Sequence, residues 1–493
     1  MSMRHRLLCG GVLATLAITG TAGALQDAPP DTVRLGLHAA VARALDLGEE
    51  MRQAEEQYAG VRAAYLQARS TALPRLTLST TYTRTIESAF QSSAKMPGIE
   101  PFEPDTLADI DQRVRDLENA LPTAWLAGLG QLFSSTAFAS ENTWIASLGL
   151  TQKIFQGGSI WNAVSGAKHA LRAAEALRND ETSDIVMQVR QAYLGALLAD
   201  RAARIAELTL SQAENQLERV RLRRDAGTAS EFELLQAEVQ RGNQVPIVKQ
   251  AQLLREVADL ELRRLVNLPA HAPLVLTTPL LDSAAMPAQP AAVDTAGLVD
   301  EALRSFSLNA AEETAEAYRH AVAVAEADRW PAFSLFANFA EQAYPGDPFP
   351  HGDDWVKDVN AGVAVNWSLF DGFQTKGSIE AAKAQRSITA TQVSQAREAV
   401  REVVVQNEYD LLRSAADLEA RARTMELARR AFELVNLRYA EGASSLIEVA
   451  DARTAYQIAQ INEARARHDY FAALARLERY TGRPVFAAAA PQD

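Results

Sequence analysis

The chain has 493 residues, 48% hydrophobic and 23% charged, with 25 glycines and 19 prolines. That is enough for two or three ordinary domains or one long architecture, and too little Gly and Pro for a fibrous or low-complexity protein. A formal charge of −13 with no long Lys/Arg run argues against nucleic-acid binding, and a single cysteine, Cys9, excludes disulfides, thiolate catalysis and cysteine-built metal sites.

Residues 1–24 read as an export signal. Arg4 and Arg6 precede a short apolar run over residues 7–18, and Ala22, Gly23 and Ala24 form a small-residue cleavage site. A membrane anchor is the alternative, but the run is too short to span a bilayer. Leu8 before Cys9, with the apolar core following, does not fit a lipoprotein signal. Cleavage removes Arg4 and Arg6 and takes the charge from −13 to −15. The mature chain has no uninterrupted apolar stretch of transmembrane length, so no spanning helix is expected.

The rest is a duplication. One gapless offset pairs Phe155 with Phe370, Gly157 with Gly372, Val220 with Val435 and Gly227 with Gly442. It continues through Ser230 with Ser445, Glu233 with Glu448, Leu262 with Leu477 and Pro269 with Pro484. The first repeat covers residues 25–268, a Pro-rich linker 269–294, the second repeat 295–484 and a tail 485–493. Pro74 pairs with Pro331 at a larger offset, so the first repeat carries an insertion, assigned to residues 90–142, in which no clear period is found.

Each repeat reads helix, two strands, very long helix, turn, helix. Strands are expected at about 75–85 and 143–155, then at about 332–341 and 358–369. Leu76, Leu78 and Tyr82 alternate with Thr77, Ser79 and Thr81. Trp144, Ala146, Leu148 and Leu150 alternate with Ser147, Gly149 and Thr151. In the second repeat Phe333, Leu335, Ala337 and Phe339 alternate with smaller or polar residues, Phe336 breaking the pattern, while 359–369 alternates cleanly.

The long helices are expected over residues 162–225 and 374–440, with no proline in either. The first has an unbroken 3.5-residue seam from Ile185 through Val189, Ala196, Ala203 and Ala213 to Val220, the signature of coiled-coil packing. A second stripe, Leu194, Leu198, Ala202, Ile205 and Leu208, lies beside it. Two seams imply neighbours on both sides, as in a cylinder of helices; one antiparallel coiled coil with a single wide seam is the alternative. Gly227 and Gly442 end the two helices where positive φ is needed, and Ser230-x-x-Glu233 and Ser445-x-x-Glu448 are expected capping boxes of the return helices.

Strands of about ten residues suit a tilted bilayer crossing, although a soluble hairpin with one wet face has the same pattern. Four strands cannot close a barrel with an interior, and open edges are not tolerated in lipid. Three chains would give twelve strands and leave room for a channel, which argues for a cyclic trimer. The connections at 90–142 and 342–357 leave the strands on the side away from the long helices and are expected outside the cell.

This organisation resembles the TolC-like outer-membrane factor family of efflux and secretion channels. The resemblance runs from about residue 31 to 484. It is carried by Gln152 to Gly158, Asn366 to Gly372, Arg223 to Gly227 and Arg438 to Gly442. It implies a mainly α fold with membrane β. Duplicated long-helix hairpins form a periplasmic α-barrel, and four strands per chain contribute to a shared trimeric outer-membrane β-barrel. The linker would belong to an equatorial belt. It further implies a passive conduit that receives substrates from an inner-membrane pump (of the resistance-nodulation, ABC or major-facilitator class) through a periplasmic adaptor. No cofactor, metal or catalytic residue is expected, and the sequence has no His-Glu-x-x-His, no phosphate-binding loop and no Gly-x-Ser-x-Gly.

The resemblance places a pore constriction at Glu448, Asp451, Glu233 and Tyr439, and adaptor docking at Gly227, Ser230, Gly442, Ser444 and Ser445. Ser444 stands where the family often has a basic residue. Glu233 and Glu448 are also explained by capping alone, whereas Asp451 needs no capping role. A periplasmic helical-hairpin adaptor is the other reading, and an envelope enzyme a third.

Overall fold

The computed structural model describes residues 32–86, 105–134, 141–278 and 294–482. The export signal, Cys9, parts of the insertion and linker, and the tail lie outside the described residues. In chain order the elements are β1 (Val33–Leu35), α1 (Leu37–Leu47), α2 (Glu49–Ser70), β2 (Arg75–Arg84), α3 (Ile110–Ser134), β3 (Asn142–Gln156), α4 (Ser159–Asp225) and α5 (Glu231–Leu265). Then follow β4 (Leu274–Leu276), α6 (Thr295–Ala302), α7 (Phe306–Ala327), β5 (Ala332–Ala343), β6 (Trp355–Asn366), α8 (Gln374–Ala440) and α9 (Leu446–Thr481).

The long helices α4 and α8 each have 67 residues, about 100 Å at 1.5 Å per residue. Helix α4 packs against α1, α2 and α5 and also against α7 and α9, while α8 packs against α6, α7 and α9. Neighbours therefore line both sides of α4, and the single-seam alternative is set aside. Most of its Ala-rich seam is buried, including Val189, Ala196, Ala203, Ala206, Ala213 and Val220. Small side chains there let adjacent helix backbones approach closely. The second stripe is less uniform: Leu194 and Ile205 are buried, but Leu208 is 55% exposed.

Midway along α4, Ile185, Val189, Tyr193 and Leu197 join Leu35, Leu262, Leu265 and Leu274 in one apolar cluster. Strands β1 and β4 pair in parallel across it. The Tyr193 hydroxyl donates to the Leu35 carbonyl at 3.0 Å and accepts from the Thr278 N–H at 3.0 Å. Polar groups tie the repeats together at the same height. Arg479, at the end of α9, donates to Asp184 at 2.5 Å and to Asp180 at 3.1 Å on α4. Arg190 answers with Glu478 at 2.5 Å.

Strands β2, β3, β5 and β6 form one antiparallel sheet in that order. Its register aligns the alternating residues into rows. Leu78, Leu148, Phe339 and Val359 run across all four strands on one face. One residue along, Ser79, Ser147, Ala340 and Asp358 run across the other, where the Ser79 and Ser147 hydroxyls lie 2.8 Å apart. In the protomer the apolar row is solvent-facing, with Leu78 77% and Val359 71% exposed. Phe336, the residue that broke the alternation, sits on the polar face opposite Gly362. A Cβ at Gly362 would lie 2.9 Å from the Phe336 ring, so the glycine makes room for it.

Aromatic residues mark both ends of the apolar face. Tyr82 and Trp144 pack with ring centroids 4.7 Å apart at the end remote from the helices, and Phe155 and Phe333 at 6.1 Å near them. The eleven residue steps from Trp144 to Phe155 span about 36 Å along the strand. At a tilt near 45° this is about 25 Å of height, the thickness of an outer-membrane apolar band. Among the described residues no helix is long and apolar enough to cross a membrane.

The strand-to-helix junction at Gly157 and Gly158 has φ of 58° and 84°. A Cβ on Gly157 would lie 2.3 Å from the Ala327 carbonyl oxygen. The turn therefore requires glycine both for its conformation and for its closeness to the end of α7.

Candidate functional site

The two turns at the far ends of α4 and α8 are built alike. Gly227 and Gly442 have φ of 76° and 75°. At each, paired backbone bonds cap the helix: Gly227 to Arg224 and Thr228 to Arg223, both 2.8 Å, and Gly442 to Tyr439 at 3.0 Å with Ala443 to Arg438 at 2.8 Å. This is the Schellman arrangement, which satisfies the last helical carbonyls with a left-handed residue after the cap.

The return helices differ. At α9 the capping box is complete, with the Glu448 N–H donating to Ser445 Oγ at 3.3 Å and the Glu448 carboxylate accepting from the Ser445 N–H at 3.4 Å. The Ser444 hydroxyl also donates to Glu448. These bonds, Ser444 first and then the Ser445 backbone, hold the Glu448 carboxyl below the usual carboxylate range. At α5 only half of the expected box forms. The Glu233 N–H donates to Ser230 Oγ at 3.2 Å, but the Glu233 side chain does not return to the Ser230 backbone, and its Oε2 is buried without a hydrogen-bond partner. Near-identical sequence thus gives two chemically different tips. One carboxylate is consumed by capping and the other is left over.

Asp451 lies one turn beyond Glu448 on the same exposed face of α9 and makes no bond within the protomer among the described residues. Tyr439 joins the tips: Arg223 Nη1 donates to its hydroxyl at 2.9 Å, and the guanidinium carbon stands 5.6 Å from the ring centroid. Tyr439 also packs on the small tip core of Leu217, Val220, Leu234, Ala237 and Leu446.

Arg223 entered the sequence reading only as the start of a tip segment, with no role of its own, and Arg453 did not enter it at all. Arg453 follows Leu446 and Val449 on the buried face of α9, is 7% exposed, and has no partner for its Nε. Burial, and then the like charge of Arg219, lower its pKa. Across from it on α4, Gln216 accepts from Arg219 Nη2 at 2.6 Å and leaves its own Nε2 unpaired. The signal was present in the sequence as polar residues, Arg453 and Gln457, at helical spacing after the apolar Leu446 and Val449. Among the described residues no group of acids and histidines could hold a metal ion.

Long paired hairpins ending in capped polar tips, joined to a sheet with one apolar face, define a membrane-anchored helical conduit. Residues 40–267 and 298–483 match the outer membrane efflux protein family, and the chain belongs to that family. It is similar to the outer membrane efflux protein BepC of Brucella suis biovar 1, at 24% identity over 340 residues, 68% of this chain and 71% of that one. It is also similar to the pyoverdine export outer membrane protein OpmQ of Pseudomonas aeruginosa, at 26% over 366 residues, 71% and 72% of the two chains. Its fold matches the outer membrane protein VceC of Vibrio cholerae with a TM-score of 0.65 and 17% identity, covering 90% of this chain and 96% of that one. The protein is therefore an outer-membrane efflux channel protein that reaches into the periplasm, and the adaptor reading is set aside.

Proposed function

We propose that three copies close their sheets into one twelve-stranded barrel, continuous with a periplasmic cylinder of helices, and conduct substrates passively. The observation that carries this reading is the sheet itself. Among the described residues its β2 and β6 edges are unpaired, and its apolar row is exposed in the protomer. Lipid tolerates neither a bare edge nor a polar outer face. Pairing β6 of one copy with β2 of the next satisfies every edge and turns the Ser79 face to the lumen. Helix α5 supports the same assembly, since Phe232, Leu235, Val239, Val257 and Leu260 leave an apolar stripe exposed along it.

In this reading residues 1–24 direct export, 269–294 belong to the equatorial belt, and 90–142 and 342–357 lie outside the cell. The tips are the periplasmic end. Asp451 and Glu448 face the axis, Glu233 adds a third acidic group, and Tyr439 fastens the turns. A periplasmic adaptor docks around Gly227, Ser230, Gly442, Ser444 and Ser445 and passes substrates from a resistance-nodulation, ABC or major-facilitator pump. The channel performs no chemistry of its own. Mass determination of the detergent-solubilised protein should give three chains; a stable, water-soluble monomer would overturn the assembly.

A further inference from the structure

The connection between β2 and β3 contains α3, whose first half has an apolar face that is exposed among the described residues. Ile110, Val114, Leu117 and Leu121 are 71, 48, 50 and 59% exposed. Their spacing of four, three and four is a heptad seam, where the sequence had shown no period over the insertion. Asp109 caps the helix start through its side chain, 2.8 Å from the Ile110 N–H. Pro122 follows the last seam position. A seam this short is marginal as an isolated helix in water, and four large apolar side chains on one bare face mark a docking surface.

The flanking charges say what covers it. In the heptad frame set by Ile110 and Val114, Arg113 takes a g position and Glu118 the e position five residues on. That is the pair that bridges neighbouring helices when they run parallel. Neither side chain has a bond within the protomer among the described residues. A lipid surface fits poorly. Residues 105–121 hold five acids (Asp105, Asp109, Asp111, Asp116 and Glu118) against Arg113 and Arg115, a net charge of −3, whereas interfacial helices are rich in Lys and Arg.

We propose that the α3 helices of three protomers meet on the channel axis as a short parallel coiled coil above the extracellular mouth. The proposal rests on the trimeric reading. A three-fold axis along the barrel makes the three helices parallel, as the Arg113–Glu118 pairing requires. Tethering through a common barrel raises their effective concentration to about the millimolar range, which offsets the shortness of the seam. The mouth would then be covered by a helical cap with openings at its sides.

With Cys9 the only cysteine in the chain, cross-linking can be read cleanly. Val114→Cys and Leu117→Cys, made separately, should be joined by a short bismaleimide into dimers. Three thiols around one axis accept one linker, so about two chains in three are captured at most. Gln112→Cys, on the outward face, should give at least about tenfold less. Arg113→Glu should lower the Leu117→Cys yield severalfold, and adding Glu118→Arg should restore it. Equal yields from seam and outward thiols overturn the proposal. So does absence of seam cross-links in a protein whose mass in detergent is still that of three chains. Seam thiols shielded from a water-soluble maleimide yet not cross-linked would place the helix in lipid instead, which also overturns it. A monomeric mass would instead overturn the trimeric reading beneath it.

Discussion

Tyr439→Phe tests whether the bond between the two tip turns restrains the periplasmic end of the channel. The substitution keeps the ring, its packing on Leu217 and Leu446, and the Arg223 cation–π contact at 5.6 Å. It removes only the 2.9 Å bond from Arg223 Nη1. A hydrogen bond to a charged group contributes about 1.5–3 kcal/mol when shielded. Arg223 is exposed and Tyr439 half-buried, so about 1 kcal/mol is the appropriate figure. That shifts the opening equilibrium of a single tip about fivefold. If three tips open as one, the losses add to about 3 kcal/mol, or about 150-fold. Arg223→Ala also removes the cation–π contact, worth about 0.5 kcal/mol more per tip at an exposed site. The backbone bonds around Gly227 hold the turn itself in both variants. Single-channel recording in planar bilayers reads the open fraction directly. Both variants should open more often, Arg223→Ala more than Tyr439→Phe, with no change in thermal stability. Open fractions within about twofold of wild type for both would show that the bond is surface decoration and that the tips are held by something else.

Asp451→Asn combined with Glu448→Gln should reduce cation selectivity and weaken block by multivalent cations; unchanged selectivity would return both residues to capping and surface roles. Arg479→Met leaves Asp180 and Asp184 facing each other without their shared cation, and should lower stability by about 3 kcal/mol in thermal dissociation of the assembly. Arg453→Met removes a buried guanidinium that lacks an acidic partner among the described residues, and should be neutral or stabilising by about 1–3 kcal/mol; marked destabilisation would mean that a neighbouring protomer supplies a carboxylate. The Glu448 pKa lies below its ordinary value, so its contribution is present above the usual carboxylate range and lost as pH falls through the lowered value. Acidification below that range should therefore loosen the α9 tip and raise conductance, and Glu448→Gln should flatten this dependence.

Fold class and the kind of protein were legible because they rest on local, repeated patterns. A 3.5-residue seam in α4, period-two alternation in β2, β3, β5 and β6, and glycine at Gly227 and Gly442 each follow from one residue's relation to its near neighbours along the chain. The duplication doubled every such signal. What the pattern missed lies across the chain. Phe336 looked like a flaw in a strand until the register set it opposite Gly362. Ser230 and Ser445 begin the same motif, yet only the second closes its box. Where the Glu233 side chain goes is decided by the packing around it, which the four-residue motif does not encode. Arg453 became notable only when α9 was laid against α4, since an arginine's cost depends on what surrounds its guanidinium. The seam of α3 escaped notice because two heptads are too short to stand out in sequence, and became visible once the helix was formed and its apolar face was seen to be bare. Periodicity along the chain determined which elements exist and which faces they present; pairing, charge compensation and exposure are relations between distant residues, and only the tertiary structure decided them.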